Sequence, residues 1–126
     1  MHTGNSLARN IWLVAAVLWT VLIAVLSLVN FDAIPVPIKS GRVDKIVHVI
    51  FHFVFTLLWS RYLTSRTFAW RVFASSAGYG ILLELAQEFF TVNRHADIMD
   101  VLANLGGAAA GMLIYFFLFG KRKSTA

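Results

Sequence analysis

Cysteine is absent from this chain of 126 residues, and only 13% of its residues are charged. Without cysteine the chain forms no disulfide, carries out no thiol chemistry and binds no metal through cysteine. Soluble domains have about 25% charged residues, so the low charge argues against an ordinary soluble domain. Segments of alternating apolar and polar residues, which membrane-spanning strands require, are also missing. These absences leave a helical membrane protein as the expected class.

Four long apolar segments make up most of the sequence. A bilayer is crossed by a helix of roughly 20 residues, and each segment is long enough. The sequence predicts one domain, residues 1–126, with helices at about 11–29, 45–63, 68–90 and 98–119. The first segment is long for a signal peptide and no convincing cleavage site follows it, so we expect a retained helix. The predicted fold is an all-α bundle of four transmembrane helices.

Basic residues are divided unevenly between the two sides that four spans would create. Seven fall on one side and four on the other. Cytoplasmic loops carry the excess of lysine and arginine, so both termini are predicted to be cytoplasmic. The positive net charge of +5 is then a topology signal, and no nucleic-acid partner is expected. The first set is Arg9, Arg61, Arg66, Arg71, Lys121, Arg122 and Lys123, and the second is Lys39, Arg42, Lys45 and Arg94.

All six acidic residues are predicted to lie on the outer side, near the helix ends. Charged groups in such positions are costly without partners, which makes them candidates for a functional site. Asp44 has an equally good explanation, because an acid at a helix start caps free N–H groups. The six are Asp32, Asp44, Glu84, Glu88, Asp97 and Asp100.

Polar residues recur at helical spacing in three segments. Lys45, His48 and His52 share one face of the second segment, and Glu84 and Gln87 share a face of the third. Polar stripes at one depth on several helices predict a shared site.

The fourth segment carries a stripe that is polar at its start and small further along. Asp97, Asp100 and Asn104 are followed on the same face by Gly107 and Gly111. Two glycines four residues apart let a neighbouring helix approach closely. The stripe therefore predicts close helix packing beside the polar site.

The candidate residues fall into three groups. A histidine beside a carboxylate suits general acid–base catalysis, and arginine can hold a phosphate or carboxylate through two hydrogen bonds. No metal and no cofactor are expected. The candidate catalytic residues are Glu84, His48 and Asp100; the candidate ligand-binding residues are Lys45, Gln87, Arg94, Asp97 and Asn104; the helix-packing residues are Gly107 and Gly111.

Taken together, these motifs resemble the VanZ-like family of small bacterial membrane proteins. The resemblance covers residues 44–111 and departs from the family at His52 and His95, where an aromatic and a small hydroxyl residue are expected. It implies a multi-pass protein of the bacterial inner membrane. The founding member is associated with low-level resistance to the glycopeptide teicoplanin, and the family implies no established catalytic mechanism. The pattern is Asp44-Lys45-x-x-His48, Glu84-x-x-Gln87 and Arg94-x-x-Asp97-x-x-Asp100-x-x-x-Asn104-x-x-Gly107-x-x-x-Gly111.

Three functions remain open at this point. The first is binding or modification of an envelope lipid or lipid-linked cell-wall precursor, with its chains between the second, third and fourth helices. The second is an intramembrane acid–base enzyme, or a variant with a metal on His48, His52 and Glu84. The third is a structural subunit, either in a larger membrane complex or in a homo-oligomer that forms through the glycine stripe.

Overall fold

The computed structural model describes residues 3–29, 41–92 and 94–120, which form four α-helices. The expectations for Asp32, Lys39 and the basic tail at 121–123 lie outside the described residues, as do the side chains of Arg42 and Arg66. The helices are α1 (Thr3–Leu28), α2 (Gly41–Leu63), α3 (Arg66–Phe90) and α4 (Ile98–Phe119).

Three helices begin earlier than the sequence predicts. α1 starts at Thr3 instead of residue 11, α2 at Gly41 instead of residue 45, and α3 at Arg66 instead of residue 68. Hydropathy marks only the apolar part of a helix, whereas backbone hydrogen bonds also continue through polar turns such as the one at Arg9 and Asn10. The C-terminal ends of the helices agree with the prediction to within one residue.

The helical class is confirmed, and three helices are long and apolar enough to cross a membrane. They are Gly4–Leu28, Val43–Leu63 and Ile98–Phe119. The remaining helix, α3, has 25 residues and therefore the necessary length, but it carries several charged side chains.

One face of α1 exposes apolar side chains at intervals of three and four residues. On its opposite face Ala16, Ile23 and Ser27 are buried. Soluble monomers rarely expose a continuous apolar surface of this kind, which is typical of a face that contacts lipid. The exposed side chains include Leu7, Ile11, Val14, Leu18, Val21 and Val25.

α2 is the central helix and contacts each of the other three. Its closest neighbour is α4, because Gly107 and Gly111 face the α2 backbone. A Cβ at Gly107 would collide with the Val49 carbonyl, and one at Gly111 would lie 2.6 Å from the Phe53 carbonyl oxygen. The missing side chains set the distance between α2 and α4, and this distance brings the polar residues of the two helices together.

Candidate functional site

A buried polar cluster occupies one end of the bundle, where α2 and α4 begin and α3 ends. Four of its side chains belong to residues that are only 2–6% exposed. Such groups need partners, because burying a polar or charged group alone is costly. The four are His48, Glu84, Asp100 and Asn104.

The His48 ring is at the centre of the cluster. Its Nδ1 lies 2.9 Å from Oδ1 of Asn104. Its Nε2 faces three carboxylates, at 3.8 Å from Asp44, 3.8 Å from Asp100 and 3.9 Å from Glu84. The three helices thus place one imidazole nitrogen among three carboxylate oxygens.

Lys45 closes one side of the cluster. Its ammonium donates to Asp97 at 3.3 Å and to Asp100 at 3.4 Å, so it links α2 to the start of α4. The Lys45 side chain is 35% exposed, whereas that of Asp100 is 7% exposed. The lysine therefore lies at the solvent-exposed opening of the cluster, its mouth, with a buried carboxylate beneath it.

The turn between α3 and α4 is held by carboxylates of α3. Oε2 of Glu84 accepts the Asp97 N–H at 3.1 Å, and Oε2 of Glu88 accepts the Ala96 N–H at 2.7 Å. The two glutamates thus receive backbone donors just ahead of α4, which fixes the entry of that helix into the site.

Asp97 caps α4. Its carboxylate accepts the Met99 N–H at 2.9 Å, as an N-cap side chain does. This hydrogen bond, followed by the one from Lys45, lowers the pKa of Asp97 below its ordinary value. Asp97 is accordingly a carboxylate at neutral pH and holds Lys45 across the mouth.

Arg94 and Gln87 both reach the end of α1. Arg94 donates to the Ser27 carbonyl at 3.0 Å, and Gln87 donates to the same oxygen at 2.9 Å. Carbonyls in the last turn of a helix have no partner within it, so this oxygen is available. Arg94 also lies 3.5 Å from Asp44. The arginine therefore ties α1 to the cluster.

The structure brings most of the predicted residues together but separates two from the centre. Gln87 turns towards α1, as described, and its side chain is buried there. His52 lies one turn deeper than His48, where its Nδ1 is 2.7 Å from the Ser76 hydroxyl. The sequence offers a metal set of His48, His52 and Glu84, but His52 lies outside the group that surrounds His48. That group consists of Asp44, Glu84 and Asp100.

Sequence reasoning missed three contributions. Asp44 fits a capping role, which hides its contacts with Arg94 and His48. The Ser27 carbonyl is a backbone group and leaves no trace in the sequence. On α2 the polar stripe continues inward through buried Thr56 and Ser60. Thr56 and Ser60 follow His52 at successive intervals of four residues, and this helical spacing is a signal that could have found them.

Comparison with protein families extends the resemblance from residues 44–111 to nearly the whole chain. The model of the family described as VanZ/LLP1 matches residues 5–119. The chain belongs to the VanZ/LLP1 family. Comparisons with curated proteins and with solved structures gave no match. As a VanZ/LLP1 protein with three helices suited to spanning a bilayer, the chain is a membrane protein.

Proposed function

We propose that this VanZ/LLP1 protein crosses the bacterial inner membrane four times, with both termini in the cytoplasm. The polar cluster then lies near the extracytoplasmic interface, where it binds the headgroup of an envelope lipid or a lipid-linked cell-wall precursor. Within this proposal, a link to teicoplanin resistance would arise from binding a cell-wall precursor on the face where glycopeptides act.

The observation that carries this proposal is the arrangement of charge by depth. Lys45 and Arg94, at 35% and 24% side-chain exposure, lie at the mouth, and Asp44 and Asp97 beside them are 42% and 44% exposed. Below them the carboxylates of Glu84 and Asp100 are nearly buried. Interhelical polar contacts that served only packing would not need charged side chains open to solvent.

The charges also suggest the chemistry of the headgroup. Both mouth cations are already paired with carboxylates. A bare phosphate would compete with those carboxylates, whereas a headgroup with a phosphate and hydroxyl or amine donors would satisfy both signs. The favoured ligand class is thus a phospholipid or lipid-linked precursor whose headgroup carries such donors.

An apolar cavity of about 370 Å³ lies between α1, α2 and α3. It includes Phe55, Trp59 and Val72 in its lining, in the half of the bundle away from the cluster. This cavity is separate from the space between α2, α3 and α4, where we expect the chains of a bound lipid to lie.

The arginines at the opposite end of the bundle support the proposed orientation. Arg9 stacks on Tyr62, with its guanidinium carbon 5.4 Å from the ring centre, and Arg61 stacks on Trp12 at 5.0 Å. Arginines beside aromatic residues are typical of a membrane interface, and an excess of arginine favours the cytoplasmic one.

Native mass spectrometry of the gently solubilised protein tests the proposal. We expect the wild type to retain a discrete lipid and Arg94→Ala to lose at least about 90% of it, since a site contact to a charged group contributes roughly 1.5–3 kcal/mol. Arg71→Ala is the matched control, because Arg71 is exposed at the other end of the bundle and stacks on Phe68. It should retain lipid as the wild type does.

Lys45→Gln distinguishes the loss of a headgroup contact from a structural effect of Arg94→Ala, because Arg94 also contacts α1. It removes the second mouth cation and should likewise reduce lipid retention in a folded monomer. Equal lipid retention by the wild type, Arg94→Ala and Lys45→Gln would contradict a headgroup site and favour the structural role.

A further inference from the structure

The hydrogen bond with Asn104 occupies one ring nitrogen of His48, and the other ring nitrogen faces the carboxylates. Oδ1 of Asn104 is a carbonyl oxygen and can only accept, so His48 Nδ1, 2.9 Å away, donates its hydrogen. In the neutral ring Nε2 then presents a lone pair. A histidine held in this way by a second residue has the usual arrangement of a metal ligand.

The Nε2 atom faces oxygens at distances that are too long for hydrogen bonds. The carboxylates of Asp44, Asp100 and Glu84 lie 3.8–3.9 Å away, whereas hydrogen bonds to nitrogen span about 2.7–3.2 Å. A proton on Nε2 would therefore form no hydrogen bond to any of these carboxylates. Metal bonds of about 2.0–2.2 Å place neighbouring tetrahedral ligands roughly 3.4 Å apart. Each oxygen would therefore have to move closer to Nε2, and the ligand oxygens of Asp44 and Asp100, which lie within 4.8 Å of each other, would also have to draw together.

Glu84 supplies an independent indication of a missing partner. Its Oε2 accepts the Asp97 N–H, but its Oε1 is buried without a hydrogen-bond partner among the described residues. The residue is 3% exposed, and this Oε1 is the atom that faces His48 Nε2 at 3.9 Å. A buried carboxylate oxygen left in this state is costly, and a cation in the gap would satisfy it.

Acidic groups outnumber permanent cations in the cluster. Four carboxyl groups, those of Asp44, Glu84, Asp97 and Asp100, face two permanent cations, Lys45 and Arg94. This excess of acidic groups would attract a further cation.

We propose that Asp44, His48, Glu84 and Asp100 form a binding site for one divalent transition-metal ion. The candidate ligand atoms of Asp44, His48 and Asp100 all lie within 4.8 Å of one another. One imidazole with carboxylates suits manganese, iron or zinc better than calcium or magnesium, which prefer oxygen ligands alone. This departs from the sequence-based expectation of a site without metal.

The site is open on one side, because the Asp44 side chain is 42% exposed. An ion would enter there, and a phosphate oxygen would reach it from the same side. This second step rests on the proposed function, whereas ion binding does not.

Manganese titration of the chelator-treated full chain in detergent, without added lipid, tests the site. The signal of free Mn²⁺ in electron paramagnetic resonance reports binding, and we expect one ion per chain. Asp44→Asn and Glu84→Gln remove ligand charge with little change in shape and should weaken binding at least tenfold. Glu88→Gln is the control, because Glu88 is on the same helix as Glu84 but contacts Ala96 and His95 instead of His48.

Two results would overturn the proposal. One is a wild type that leaves Mn²⁺ free at millimolar concentration. The other is a Glu88→Gln variant that weakens binding as much as Asp44→Asn, which would indicate a diffuse acidic surface. Because lipid is absent, failure here leaves the headgroup proposal to its own test.

Discussion

Gly107→Ala is expected to prevent the stable packing of α2 against α4. The added Cβ would collide with the backbone of Val49, which a change of rotamer cannot relieve. Overpacking of a core by one methyl group commonly costs about 1–3 kcal/mol, and a collision with backbone should lie at or above the top of that range. We expect a large fall in the unfolding temperature in detergent, together with loss of the monodisperse species in size-exclusion chromatography.

Gly106→Ala provides the control for the same chemical change one residue away. A Cβ at Gly106 would meet no atom within 4 Å among the described residues. Alanine also favours a helix over glycine by up to about 1 kcal/mol, so this variant should be as stable as the wild type or more so. Equal behaviour of the two variants would contradict the close α2–α4 contact. The same contact bears on assembly, since Gly107 and Gly111 are covered by α2 of their own chain and are not free to pair copies.

Single-cysteine labelling should place the two ends of α3 on opposite sides of the membrane. The wild type has no cysteine, so each introduced thiol is the only one to react. The side chain at His95 is 79% exposed beside the cluster, and Thr67 is exposed in the first turn of α3 at the other end of the bundle. In intact spheroplasts a membrane-impermeant maleimide should label His95→Cys and should label Thr67→Cys only after lysis.

This pattern depends on α3 spanning the bilayer despite its charged residues. If α3 instead lay along one surface, both cysteines would react before lysis or neither would. Labelling of Thr67→Cys alone in intact spheroplasts would invert the proposed orientation and place the cluster in the cytoplasm.

The sequence was sufficient to predict the four helices and the polar stripes that meet in the cluster. Hydropathy located four segments, and helical spacing placed Lys45 and His48 on one face and Asp100 and Asn104 on another. Because the α3–α4 turn is short, the proximity of Glu84 to the start of α4 was also accessible. These predictions depend on local periodicity, which a single chain displays.

The hydrogen-bond and ion-pair partners of individual side chains could not be predicted from the sequence. The position of α1 relative to the others is set by packing of apolar faces that many arrangements would satisfy. Hence nothing in the sequence indicates that Gln87 and Arg94 both donate to Ser27. The arrangement of Asp44 and Glu84 around one nitrogen likewise depends on ångström-scale distances between three helices, and spacing along one helix carries no such information.

The unfolding temperature of Glu84→Gln, measured beside the wild type with chelator present, tests most directly whether the cluster is a ligand site. Glutamine can still accept the Asp97 N–H, and it replaces a buried carboxyl group whose second oxygen has no partner among the described residues. Groups kept for binding often reduce stability, so we expect an unfolding temperature equal to that of the wild type or higher. A fall of several degrees, corresponding to roughly 1 kcal/mol or more, would show that the Glu84 carboxylate holds the helices together and would contradict the account.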